Sequence, residues 1–248
     1  MKKTSQKLRI GVIGACGRGK LAELAHQPEN GVELVAGADL HEIQRQGFLQ
    51  RQQEIFHNSP HVYTDYREMI EKERLDGVFV TAPDFTHEEI ACHALKQKVA
   101  VYLEKPIAIS LDGADRILKT AKDNKTRLFL GHNMRYMEFT NTMRDVIQAG
   151  TIGEVKAVWC RHFVAYGGDA YFRDWHADRK NTCSLLLQKG AHDIDIIHWL
   201  ANSYTTRVHG MGALTTYDKV PRRPKGQERL PGLDIVDVWK QSTGRSPH

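Results

Sequence analysis

Residues Val99 to Ala108 read VAVYLEKPIA, an apolar run that ends in Glu104 and Lys105 and is closed by Pro106. Such a run reads as a buried parallel strand that presents a carboxylate and an ammonium at its C-terminal edge, where open α/β sheets take ligands. Ten residues alone also fit an ordinary surface ion pair at a strand end. The flanking chain decides for chemistry and makes Lys105 the first candidate.

Upstream, Leu8 to Ile13 is a short apolar strand that runs into GACGRGK, Gly14 to Lys20, and then into the helical stretch LAELAHQ. A dinucleotide pyrophosphate needs this succession, because backbone amides then approach it closely at the positive end of a helix dipole. The fingerprint G-x-G-x-x-G finds its first and third glycines in Gly14 and Gly19, but Cys16 holds the second position, with Gly17 just after it. A side chain there should cost affinity or shift the loop, so Cys16→Gly is expected to strengthen binding. The next strand, Val32 to Ala38, ends in Asp39, 25 residues after Gly14, where an acidic residue takes up the ribose hydroxyls of NAD. Leu40, His41 and Glu42 follow, with no lysine or arginine among them for a 2′-phosphate, which favours NAD over NADP. Asp39 also suits the N-cap of the next helix, and the two roles are compatible.

The alternation continues on both sides of the opening strand. Asp65 with Glu68, and Thr86 with Glu89, make capping-box patterns before two helices; Ser110 is placed to cap a third. Gly77 to Thr81 and Arg127 to Gly131 are further short apolar strands. Strands spaced by helices of about 10 to 15 residues are the signature of βαβ units. Residues 1–131 are therefore read as a doubly wound Rossmann domain.

At 248 residues, 41% apolar and 26% charged, the chain has room for a real core. Of the net charge of +5, +4 falls in Lys219 to Arg229, a stretch broken by Pro221, Pro224 and Gly226. That reads as a solvated loop and not as the folded basic face that nucleic acid requires. Cys16, Cys92, Cys160 and Cys183 stand far apart, which argues against a disulfide framework or a zinc site. The apolar run after the basic N-terminus is too short for a membrane span or a secretory signal, so a cytoplasmic location is expected.

Five features together resemble the glucose-fructose oxidoreductase, inositol dehydrogenase and MocA family. They are the turn Gly14 to Gly19, Asp39, TAPDFTH from Thr81 to His87, the Glu104-Lys105-Pro106 triplet, and GHNMRY from Gly131 to Tyr136. The resemblance implies an α/β Rossmann domain followed by a second domain with an open, mostly antiparallel sheet that covers a sugar or cyclic polyol. It implies that Lys105 lies beside the nicotinamide and the reacting hydroxyl, often before a cis proline, and that Thr81, Pro83, His87 and Glu104 line the cofactor side. Asn133 and Arg135 become candidates for substrate or nicotinamide contact.

In the second half, residues 132–248, Tyr136 to Ala149 reads as a helix and Glu154 to Val164 and Thr205 to Thr216 as strands. The stretch Tyr166 to Lys180, with Arg173 and Trp175, combines aromatic faces with charged hydroxyl partners, as a sugar site would. On a helix from Ser184 to Ala201, Gln188, His192 and Asp195 fall on one stripe, with Leu187, Ala191, Ile194 and Ile197 beside it. A metal reading of His192, Asp195 and His198 fails, because successive steps of three drift around the helix. The resemblance makes His192 the proton acceptor. Many family members that oxidise polyols have an aspartate where this chain has Gln188.

The expected function is NAD(H)-dependent oxidation or reduction of a sugar or polyol, without nucleic-acid or membrane partners and as a homo-oligomer. The alternative is a nucleotide-binding regulatory or catalytically impaired protein on the same scaffold. With only two strands expected in the second domain, that domain is expected to be incomplete and its activity low.

Overall fold

The structure, a computed structural model, describes residues 7–163, 171, 174–213 and 215. The described chain divides into two compact units, the first running through Gly131 and taking in Asp178–Ser184, the second containing His132–Ala177 and continuing from Leu185.

The first unit is built on six parallel strands. In chain order they are β1 (Leu8–Ile13), β2 (Val32–Ala38), β3 (His61–Tyr63), β4 (Gly77–Val80), β5 (Ala100–Leu103) and β6 (Leu128–Leu130), laid side by side as β3-β2-β1-β4-β5-β6. Five helices join them: α1 (Lys20–Leu24), α2 (Glu42–Phe56), α3 (Tyr66–Glu73), α4 (His87–Lys96) and α5 (Leu111–Asn124). The chain winds outward from β1 to β3, crosses over through α3 and winds outward again from β4, which places a topological switch point between β1 and β4. Ile13 pairs with both Ala38 and Val80 there, so three strand ends share one edge. Val12, Leu34, Val78, Val80 and Leu103 are almost wholly buried, as strands covered on both faces should be.

The helix starts follow the sequence in part. Asp65 caps α3 by accepting from Arg67 N at 2.8 Å, and Ser110 caps α5 by accepting from Gly113 N at 3.1 Å. Neither expected capping box closes. Glu68 turns to Lys72 (2.6 Å), while Thr86 donates to the Pro83 carbonyl (2.7 Å) and Glu89 is taken by Arg67 and Tyr66.

The second unit contains α6 (Glu138–Gln148) and α7 (Leu185–Ala201), which pack against each other. The Arg144 guanidinium reaches the Trp199 carbonyl and lies 5.4 Å from the centre of that residue's indole. Two expectations are corrected here. Among the described residues, 154–163 and 205–213 form no strand, and Trp159, Phe163, Val208 and Met211 are each more than four-fifths exposed. Alternating apolar residues make a strand only where a neighbouring ladder and a buried face receive them, and neither is present around these segments among the described residues. Asp178–Ser184, read from the sequence as part of the second domain, packs instead with the first unit.

Candidate functional site

The glycine turn leaves the C-terminal end of β1. Gly14 has φ +84°, and a Cβ there would stand 2.8 Å from Ala82 N and 2.9 Å from the Thr81 carbonyl group. A Cβ on Gly19 would collide with the Gly14 carbonyl oxygen. Only glycine lets the turn lie this close to β4. Thr81 ties the two together by donating from its hydroxyl to the carbonyls of Ile13 (3.1 Å) and Gly14 (2.8 Å).

Cys16 is extended (φ −119°, ψ 176°), and its carbonyl accepts from Gly19 N at 2.7 Å. Burial pushes its thiol above the ordinary range, and the Asp39 carboxylate adds to the effect. The left-handed conformation falls on Gly17 (φ +50°), around which a side chain would meet nothing within 4 Å.

Asp39, at the end of β2, faces this turn. Its carboxylate accepts from Ala15 N (3.1 Å) and from His41 N (3.0 Å), and burial raises its pKa above the usual carboxylate value. A carboxylate has about four acceptor positions, so two remain beyond these bonds. The cap of α2 is His41 rather than Asp39. Sequence reading missed Arg45, which lies one turn into α2 and donates to the Asp39 carbonyl at 2.7 Å.

At the end of β5, Glu104 is buried. One carboxylate oxygen accepts from the Arg18 guanidinium at 2.8 Å and the other from Lys105 N at 2.6 Å. Arg18, in the glycine turn, was the second residue missed; its signal was an arginine in a loop that needs a counter-charge for a buried carboxylate. The Lys105–Pro106 peptide is cis, and Lys105 itself is half-buried.

Two residues expected to line the cofactor side, His87 and Glu104, have internal partners. His87 is 1% exposed, with Nδ1 2.7 Å from the Pro106 carbonyl and Nε2 2.9 Å from the Ala82 carbonyl, so no face of the ring is left for a ligand. The Glu104 carboxylate is buried and bonded to Arg18 and to the Lys105 amide. Pro83 starts the short turn before α4. Next to it Asp84, buried, accepts from the Thr182 hydroxyl at 3.2 Å, and burial pushes its carboxyl up to about 7.

In the second unit, Arg135 is committed to Asp195 through two bonds of 2.7 and 2.6 Å. The pair anchors α7 to the short turn that holds Arg135. Asp195 therefore serves Arg135, with His132 Nδ1 3.7 Å away. His192 packs edge-on against His132, with ring centres 5.9 Å apart. Gln188 is buried, whereas Leu187 and Ile194, of the apolar set beside its stripe, are almost half exposed. Asn133 opens a short turn, and Trp175 stacks on His176 at 3.5 Å. Arg173 lies outside the described residues.

A parallel sheet with its switch point at a glycine turn, an acidic residue at the end of β2 and a lysine at the end of β5 defines the class of dinucleotide-binding α/β proteins. Residues 8–132 match the oxidoreductase family with an NAD-binding Rossmann fold, and residues 140–229 match the GFO/IDH/MocA C-terminal domain. The chain belongs to the Gfo/Idh/MocA oxidoreductase family. It is 28% identical over 198 residues to an inositol 2-dehydrogenase of Salmonella typhimurium, covering 79% of this chain and 55% of that one. It is 29% identical over 198 residues to a glucose-6-phosphate 3-dehydrogenase of Bacillus subtilis, covering 79% and 54%. The fold matches scyllo-inositol dehydrogenase from Lactobacillus casei with bound NAD(H) and scyllo-inositol, with a TM-score of 0.66 at 20% identity over 79% of this chain and 57% of that one. The chain spans about half the length of these relatives.

Proposed function

We propose that this chain carries the NAD(H)-binding and catalytic residues of an oxidoreductase acting on a hydroxyl or carbonyl of a sugar or cyclic polyol. The observation that carries the reading is the convergence of the Gly14–Gly19 turn, Asp39 and Lys105 on one edge of the sheet, at the ends of β1, β2 and β5. The turn fits the dinucleotide: Gly17 leaves open space above it, and Asp39 keeps acceptor positions for a ribose diol.

When bound, the nicotinamide supplies a two-electron acceptor or donor for hydride. Oxidising an alcohol also releases the hydroxyl proton, and His192 takes it, since imidazole titrates near neutrality. Lys105 donates a hydrogen bond to the oxygen as its negative charge develops. Asn133, Trp175 and Gln188 contact the substrate. Gln188 is a neutral amide that orients a hydroxyl and adds no charge to stabilise a protonated His192. A homo-oligomer fits the exposed apolar residues of the second unit.

A second reading, a dinucleotide-binding protein without turnover, draws on one observation: residues 154–163 and 205–213 form no strand that could support a substrate cover. Incubation with NAD and a panel of sugars and inositols separates the two. Growth of reduced-nicotinamide absorbance supports the enzyme, and calorimetric binding of NAD without it supports the second reading. On cofactor choice, Asp39 should favour NAD, and Asp39→Ala should weaken NAD roughly 10- to 100-fold by removing charge-assisted bonds. The same change leaves Arg45 to attract a 2′-phosphate, so the NAD/NADP affinity ratio should fall. Equal affinities in the unmodified chain would contradict this part.

A further inference from the structure

We propose that His87 is the positioning residue of the lysine turn, and that it holds the turn as an imidazolium donating from both ring nitrogens. The proposal starts from two bonds. Nδ1 lies 2.7 Å from the Pro106 carbonyl oxygen and Nε2 2.9 Å from the Ala82 carbonyl oxygen, on a ring that is 1% exposed. Both partners only accept, and a neutral imidazole donates from one nitrogen only. In the neutral ring one nitrogen lone pair would face a carbonyl lone pair at hydrogen-bond distance, without water to intervene. Turning the ring over would place a C–H against each carbonyl and forfeit both N–H bonds to these buried acceptors.

The charges around the ring act in both directions. Burial is the largest influence and, with Lys105, lowers the ring's pKa below the ordinary imidazole value; the two carbonyls and the Glu104 carboxylate oppose it, and it is the pair of short contacts, each to an oxygen that can only accept, that favours the cation here. Glu104 is itself buried and held by Arg18, so a fixed negative charge accompanies the ring.

The consequence for Lys105 is geometric. Its amide nitrogen is held from one side by Glu104, and the carbonyl of the next residue, Pro106, is held from the other side by His87. Because His87 also grips Ala82, the lysine turn is fixed to the end of β4, beside Gly14. The catalytic meaning of this placement rests on the proposed oxidoreductase function; the two bonds and the protonation do not.

The test uses the full chain with ¹⁵N-labelled histidine. NMR at pH 7, with the His87 ring assigned through its own backbone, should find hydrogen on both ring nitrogens. Hydrogen on one nitrogen only would overturn the imidazolium. For positioning, the rate of reductive methylation of Lys105 is followed against pH in the unmodified chain and in His87→Gln, whose amide nitrogen reaches one carbonyl and not both. The Lys105 profile should shift while those of the exposed Lys72 and Lys119 stay put; an unchanged Lys105 profile would overturn the positioning role. On a substrate that turns over, His87→Gln should lower kcat by about 10²-fold with little change in NAD affinity, the cost of a misplaced catalytic group. If no sugar or polyol turns over, the proposed function fails, and the NMR and methylation results still decide the role of His87.

Discussion

Lys105 and Asp84 show how one buried edge sets two different demands on charge. On the proposed function, Lys105→Ala removes the donor to the developing alkoxide and should cost about 10² to 10³ in kcat, while calorimetry should find NAD binding nearly intact, since the glycine turn is the proposed seat of the pyrophosphate. A wild-type rate in this variant would remove Lys105 from the chemistry. Asp84 is a carboxyl whose folded-state pKa stands near 7, above its unfolded value of 3.8, chiefly because burial disfavours the charged form. The folded state thus holds the proton more tightly, so the stability linked to it is fully present below about pH 4 and is lost as pH rises to about 7. Asp84→Asn keeps an acceptor for Thr182 and removes this loss, so it should be more stable than the unmodified chain by on the order of 2–4 kcal/mol above pH 7. Chemical denaturation at pH 4 and pH 8 checks this: the gain should be small at pH 4, and equal gains at both would refute the linkage. Lys105 and Asp39 were legible as candidates because each ends an apolar run. The closures of Glu104 by Arg18 and of His87 by Ala82 and Pro106 were not, since Arg18 and Glu104 are 86 residues apart and only the folded sheet brings them together.

At the scale of the element, the glycine turn is the part whose reading changes most. The fingerprint made Cys16 the obstacle, but Cys16 is extended and the positive φ falls on Gly17. Cys16→Gly should therefore leave NAD affinity within about threefold. Gly17→Ala, which forces a side chain into the left-handed region at roughly 1–2 kcal/mol, should weaken it about tenfold. Calorimetry on both variants decides, and a large gain from Cys16→Gly would return the obstacle to Cys16. Five of the six strands of the sheet, all but the short β3, were legible, because strands buried on both faces read as apolar runs that need no particular partner. The segments Glu154–Val164 and Thr205–Thr216 were read as strands too, the second alternating poorly around Gly210 and Gly212. Their alternation specifies one face only, and whether that face finds a ladder depends on distant chain that no local pattern encodes. Helix α7 has the same ambiguity: its period is clear, yet it is the polar Gln188 that is buried while Leu187 and Ile194 stay half open.

Across the whole chain the buried apolar side chains are distributed unevenly. Among the described residues every fully buried hydrophobic side chain except Leu200 lies between Ile10 and Ile117, in the first unit. Among its described residues the second unit's side-chain contacts are largely polar: Arg135 on Asp195, Arg144 on Trp199, His162 on Asp193. Ion pairs of this exposure contribute about 0–1 kcal/mol each, whereas burying one large apolar side chain contributes about 1.5–3 kcal/mol. The first unit should therefore open only with global unfolding, and the second should open locally at much lower free energy. Trp159, Phe163, Val208 and Met211, all strongly exposed, add an apolar surface that favours association between copies. Limited proteolysis of the full chain should leave a resistant fragment from near the N-terminus to between Gly131 and Gly150, with early cuts beyond it. Sedimentation should show association that weakens when Trp159 and Met211 are both changed to serine. NAD should protect the fragment further, by mass action on the folded first unit. A chain that resists protease along its whole length and sediments as a monomer would overturn the division, and would mean that the second unit possesses a core which Leu200 alone does not account for.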